Sequence, residues 1–252
     1  MNAVEISGDC CGICHKPSTE FCMHCFNMPY CSSACRVADA EKHTPLCSTL
    51  QYFGQSARPS WLYSRCIFFP VDYSQPRFVW LKYYGLPCQR HIDREDLRLF
   101  VTDVPSGGDA TFDCFREGNR QLRDRITVRH DSNALGNKQP YNQCVMALLG
   151  QVAGEYWRGP LLAQSYRYRV DDDLHRWPTG DRTEASEVLI SVDLDTASLA
   201  PILSFMKWRA TSTDDYNLTI ATEDATLRAT IVGNVSPKKA SPKKSSPKKK
   251  KK

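Results

Sequence analysis

Apolar residues along this chain fall into two textures. Short runs of aromatic and β-branched residues predict strands: "RCIFFPVD" (65–72), "PRFVWLKYY" (76–84), "RITVRH" (125–130), "QSYRYRV" (164–170) and "VLISVDL" (188–194). Longer, mostly apolar stretches predict helices. "YNQCVMALLGQVAGEYW" (Tyr141 to Trp157) reads as one central, buried helix, with Gly150 and Gly154 letting a neighbour pack closely. "DTASLAPILSFMKWRA" (195–210) reads as a helix entered through a Ser or Thr cap, with Pro201 in its first turn. "LRLFV" (Leu97 to Val101) suits either state, and the Pro and paired Gly of "VPSGGDA" (Val104 to Ala110) predict a loop. Strands and helices mix without a βαβ rhythm, so the expected fold class is α+β.

This texture starts only after about residue 60. The expected organisation is an N-terminal segment (1–10), a cysteine-rich module (11–47), a linker (48–60), the α+β body (61–232) and a basic tail (233–252).

The module concentrates the chemistry. Residues 10 to 47 hold eight of the chain's twelve cysteines. Cys11-x2-Cys14 and Cys22-x2-Cys25 are followed by Cys31-x3-Cys35 and His43-x3-Cys47. A C-x2-C turn places two thiolates together, and x3 spacing places two ligands on one helix face, so the last two pairs are expected on short helices. Four ligands complete one tetrahedral zinc site, so these eight predict two structural zinc ions with no open coordination position. A 37-residue segment buries too little apolar surface to fold alone. Each structural zinc supplies on the order of 10 kcal/mol or more toward that deficit. Spacing leaves open whether the pairs combine in sequence or interleave. It also allows Cys10-x3-Cys14 beside the favoured Cys11. His15 and His24 stand next to ligands and are expected to face solvent.

The run Tyr30-Cys31-Ser32, then Cys35, Asp39, His43 and Cys47, resembles the MYND zinc finger over residues 11–47, about a seventh of the chain. The resemblance implies a cross-braced module. Cys11, Cys14, Cys31 and Cys35 would hold one zinc, and Cys22, Cys25, His43 and Cys47 the other. It also implies binding of partner proteins, often through short proline-rich peptides. The sequence departs from the family at Arg36, where Gln is usual, at Ala40, where Trp is usual, and at Thr44, where Lys is frequent. The Gln and Trp positions line the family's peptide groove, so the expected affinity for proline-rich peptides is weak. In texture the body is similar to those of fungal MYND-domain proteins.

Composition and charge refine this picture. The chain has 252 residues, is 41% hydrophobic, and has no stretch near the ~20 apolar residues of a membrane span. "MNAVEISGD" lacks the basic and apolar regions of a secretory signal. The expected compartment is therefore the cytosol or nucleus, where clustered cysteines point to metal. The net charge is +5, but residues 236–252 carry nine lysines and no acid; setting those nine aside leaves −4 for the rest. The S-P-K-K repeat at Ser236, Ser241 and Ser246 predicts a disordered tail. It resembles linker-histone arms and nuclear-import signals, and its Ser-Pro sites suit proline-directed kinases.

Candidate catalytic chemistry is sparse. The sequence carries no Gly-rich phosphate loop, H-E-x-x-H or G-x-S-x-G. Cys66, Cys88, Cys114 and Cys144 are expected as small buried hydrophobes, and Asp171 to Asp173 as a solvated loop. A SET methyltransferase resemblance would need an Asn-His-Ser-Cys stretch and a C-terminal cysteine cluster, which this sequence lacks; "YNQCV" at Tyr141 has no histidine. The expected function is a non-enzymatic zinc-binding adaptor in the nucleus, with the cytoplasm as a second location. Protein partners and non-specific DNA contact through the tail are expected, and no membrane association. The alternative is a divergent methyltransferase or other enzyme using the body.

Overall fold

The computed structural model describes residues 10–14, 16–85, 91–101, 107–115, 120–131, 133–134, 136–169, 188–212, 219–221 and 228–230. The N-terminal module contains a two-stranded hairpin, β1 (Glu20–Phe21) and β2 (Pro29–Tyr30), followed by helix α1 (Ser33–Leu50). Ser32 caps α1, its hydroxyl accepting from Cys35 N at 3.3 Å. Pro45 removes one hydrogen bond inside the helix. Packing compensates, because Leu46 and Leu50 are buried in the core of the body.

The body is a curled antiparallel sheet. Its strands are β3 (Tyr63–Phe69), β4 (Arg77–Tyr84), β5 (His91–Ile92), β6 (Gly107–Phe115), β7 (Arg120–Asp131), β8 (Leu161–Arg169) and β9 (Val188–Val192). The spatial order is β5-β4-β3-β8-β7-β6. The opening residues of β8 pair with β3, and Ser165 to Arg169 pair with β9. Period-two alternation sorts β3 onto two cores. Ile67 and Phe69 face one, and Cys66 and Phe68 face the other.

The larger core lies under α3 (Gln143–Leu149), α4 (Gln151–Tyr156), α5 (Leu199–Thr211) and the end of α1. Trp157 is buried there and donates Nε1–H to Met206 O at 2.8 Å, while Phe112 stacks on Phe205 at 4.3 Å. The smaller core packs Val79, Leu81 and Tyr83 with Leu97 and Phe100, which belong to or follow α2 (Arg94–Arg98). Arg65 ties the segments together, donating from Nε to Leu194 O and from Nη1 to Phe53 O, both at 2.6 Å. Burial lowers its pKa, and the carboxylates of Asp193 and Asp195 oppose that effect.

The structure corrects several expectations. The single helix over Tyr141 to Trp157 is broken at Gly150, whose φ of +91° ends α3 and opens α4. Gly154 is the close-packing glycine, since a Cβ there would lie 1.9 Å from Met146 Cγ. The end of the expected loop, Gly107 to Ala110, opens β6, while residues 104–106 lie outside the described set. "LRLFV" finishes α2 and its following turn. The segment 48–60 is no bare linker, because α1 runs to Leu50 and 3₁₀ turns cover Gln51–Phe53 and Gln55–Ala57. The helix over 195–210 is entered through Asp195, whose carboxylate forms a capping box with Ser198 in a 3₁₀ turn ahead of α5.

Contacts divide the chain into Met1–Thr211 and Ser212–Lys252. The second unit contains an antiparallel strand pair, β10 (Thr219–Ala221) with β11 (Arg228–Thr230). The Lys-rich tail lies outside the described residues.

Asn142 should be the most sensitive polar position in the body. It is fully buried and donates from Nδ2 to Phe69 O (3.0 Å) and Gly159 O (2.8 Å). Its Oδ1 accepts from Val145 N at 2.9 Å, capping α3. Asn142→Ala removes all three bonds and is expected to cost about 3 kcal/mol. Urea denaturation of the zinc-loaded protein measures this loss.

Candidate metal centres

The module's ligands converge into two clusters that interleave along the chain. Cys11, Cys14, Cys31 and Cys35 form one; Cys22, Cys25, His43 and Cys47 form the other. Within each, the ligand atoms all lie within 4.8 Å of one another. In the first, Sγ–Sγ distances are 3.2 Å (Cys14–Cys31), 3.6 Å (Cys31–Cys35) and 3.7 Å (Cys14–Cys35). In the second, Cys22 and Cys47 are 3.6 Å apart, and Cys25 Sγ is 3.5 Å from His43 Nε2. A tetrahedral zinc requires edges of about 3.8 Å between thiolates and about 3.5 Å between thiolate and imidazole. The donor sets therefore fit two zinc ions, each with four protein ligands. These sulfurs are also too far apart for disulfides.

Local structure positions each ligand. The first two pairs sit on knuckle turns, with Cys11 N donating to Lys16 O (2.8 Å) and Phe26 N to Cys22 O (2.9 Å). Cys31 follows β2, and Cys35, His43 and Cys47 all lie on α1. The expected pair of short helices is thus one long helix. Cys10 is outside both clusters, in an isolated bridge with Pro17. His24 is exposed, and His15 lies outside the described residues.

The electrostatics prepare some thiolates and leave others to the metal. Burial works to raise the Cys11 thiol, but backbone groups of Cys14, Ile13 and Cys31 outweigh it and bring it to about 7. Cys22 is lowered in the same way: burial is outweighed by the backbone of Cys25 and His24. Later ligands move the other way. Cys31 is raised by the neighbouring Cys14 thiol. At Cys35 the Ser32 hydroxyl pulls downward, but the Cys31 and Cys14 thiols prevail and push it up to about 12. Cys47 is pushed up to about 12 by burial and by Cys22. Four crowded thiols do not all ionise without a cation between them, so metal binding here expels protons.

Outer groups orient these ligands. Buried Tyr30 donates its hydroxyl to Asp39 Oδ2 at 2.7 Å, and the same oxygen lies 3.9 Å from His43 Nδ1. This carboxylate faces the imidazole edge opposite the metal-facing Nε2. From the body, Thr196 Oγ1 lies 3.4 Å from Cys25 Sγ, across 171 residues of sequence. Ala197 packs against the module's own core. Thr196 is the site residue that sequence reading misses, because no local pattern marks it.

The remaining candidates do not assemble. Cys66 and Cys144 are buried, and burial raises both thiols, Cys144 to about 12, opposite to what a nucleophile needs. Burial against Trp157, edge-on at 5.2 Å, lowers the His130 pKa. Cys114 is half-buried in β6. Cys88 and Asp171 to Asp173 lie outside the described residues. Comparison with known protein families, curated proteins and solved structures finds no match to this chain.

Two zinc ions per chain are expected by native mass spectrometry. Cys31→Ser should remove the first, while Cys66→Ser should leave both. Thr196→Val deletes the hydroxyl beside Cys25 and should weaken the second site about tenfold, leaving the first unchanged. Competition with a zinc-sensitive dye resolves the two affinities.

Proposed function

We propose that this chain is a zinc-stabilised, non-enzymatic interaction protein of the MYND type, acting in the nucleus. The observation that carries the reading is the pair of closed donor sets. With four protein ligands each, the metals act structurally, and what they hold in place is a surface. That surface presents exposed Phe21, Met23, Phe26 and Val37 around the module.

Proline-rich peptides are weak ligands in this proposal. Arg36, at a groove position of the resembling family, is exposed and 3.3 Å from Glu20 of β1. Ala40, at the other, is exposed and offers no aromatic platform. The nine-lysine tail supplies nuclear import, or weak and sequence-independent attraction to DNA. Among the described residues no helix is long and apolar enough to cross a membrane.

One experiment separates these roles. Crosslinking capture from nuclear extract, using zinc-loaded chain truncated after Val235, should retain a discrete protein partner that zinc removal abolishes. Partners captured equally by zinc-free protein would refute the adaptor reading. In parallel, duplex DNA binding by the full chain should weaken steeply with salt, with a log–log slope growing by about 0.9 per phosphate neutralised. Truncation should abolish that binding, and Glu at Ser236, Ser241 and Ser246 should make the slope shallower. An unchanged slope after truncation would place the DNA contact outside the tail.

A further inference from the structure

A cleft of about 280 Å³ separates the zinc module from the helices of the body. Its lining is mixed: Met28 from the module and Leu148, Leu199 and Leu203 from the body share it with the polar side chains of His43, Thr196 and Ser204. Two cations stand at its lip, Lys42 on α1 and Lys207 on α5. Both are exposed, and neither joins an ion pair among the described residues. The one carboxylate lining the cleft, Asp39, is buried and already accepts from Tyr30.

We infer that this cleft is a docking site for a short peptide segment of a partner protein, an apolar side chain flanked by acidic residues. The inference rests on the interaction reading above and names where and what it binds. The volume suits one or two side chains and falls below the ~300–1,000 Å³ of sites that enclose whole small molecules. Met28 and the three leucines among the lining residues offer contact to a Leu-, Ile-, Phe- or Met-sized group. The two unpaired ammonium groups complement carboxylates on either side of it, and steer association. This cleft uses Ala38 and Lys42 of α1, whereas Arg36 and Ala40 do not line it.

The test is selection of random phage-displayed peptides on the zinc-loaded chain truncated after Val235. Enriched sequences, resynthesised with a fluorophore, are measured by polarisation. Asp or Glu should adjoin a Leu, Ile, Phe or Met in the winners. Lys42→Glu with Lys207→Glu should weaken them about tenfold or more. Ala38→Trp, which crowds the lip from an exposed position, should do the same. Both variants are checked for two zincs by native mass spectrometry. Should the double variant lose zinc, Lys207→Glu alone, away from both ligand clusters in sequence, must still weaken binding severalfold. Winners without this pattern, or with unchanged affinity for the variants, overturn the cleft while leaving the adaptor reading standing. No enrichment also overturns it, and the nuclear-extract capture then decides the adaptor reading by itself.

Discussion

Helix α1 has to satisfy metal along one stripe of residues and a protein core along another. Cys35, Asp39, His43 and Cys47 recur every four residues and form one stripe. Cys35 belongs to one cluster, His43 and Cys47 to the other, and Asp39 faces the imidazole. Leu46, between His43 and Cys47, and Leu50, just beyond Cys47, enter the core beneath the sheet. A rotation of the helix about its axis would spoil both zinc sites and the hydrophobic contact together, so its register is fixed by both sets of contacts. The zinc contribution, on the order of 10 kcal/mol per site, matches the whole net stability of an ordinary domain. Metal occupancy therefore bears on the body as well as on the module.

The docking of the two parts follows from this shared helix. Once α1 is seated, the 3₁₀ turn at Thr196–Ser198 lies against the module, with Thr196 at Cys25 and Ala197 in the cysteine core. The same chain segment leads into α5, which buries seven residues from Leu199 to Met206. The cleft between module and body is the space left where this junction is incomplete. Its lip is charged because α1 and α5 both turn a lysine outward there.

What the sequence reveals depends on how local the determinant is. Ligand spacing is local, so the eight residues of the two candidate zinc clusters are legible. Which pairs share a metal depends on how the hairpin of β1 and β2 folds back on α1, and spacing leaves that open. Strands β3, β4, β7, β8 and β9 are legible because aromatic and β-branched residues are concentrated in them. Strand β6 is hidden, since Gly107 and Gly108 imitate a turn and a register shift between Phe112 and Cys114 interrupts its alternation. The break at Gly150 is hidden because the apolar pattern continues across it into α4. Thr196 is beyond local reading, because its importance comes from a contact 171 residues away.

That long-range contact also gives the molecule an order of assembly. As the chain is synthesised, every zinc ligand leaves the ribosome before any strand of the main sheet is complete. The module can capture its metals early, while Leu46 and Leu50 still project into water with nothing to cover them. The core they join also holds Leu161, Ile202 and Met206, which are made more than a hundred residues later. For that interval the nascent chain carries a finished metal module attached to a bare, sticky helix end, the kind of surface that chaperones recognise.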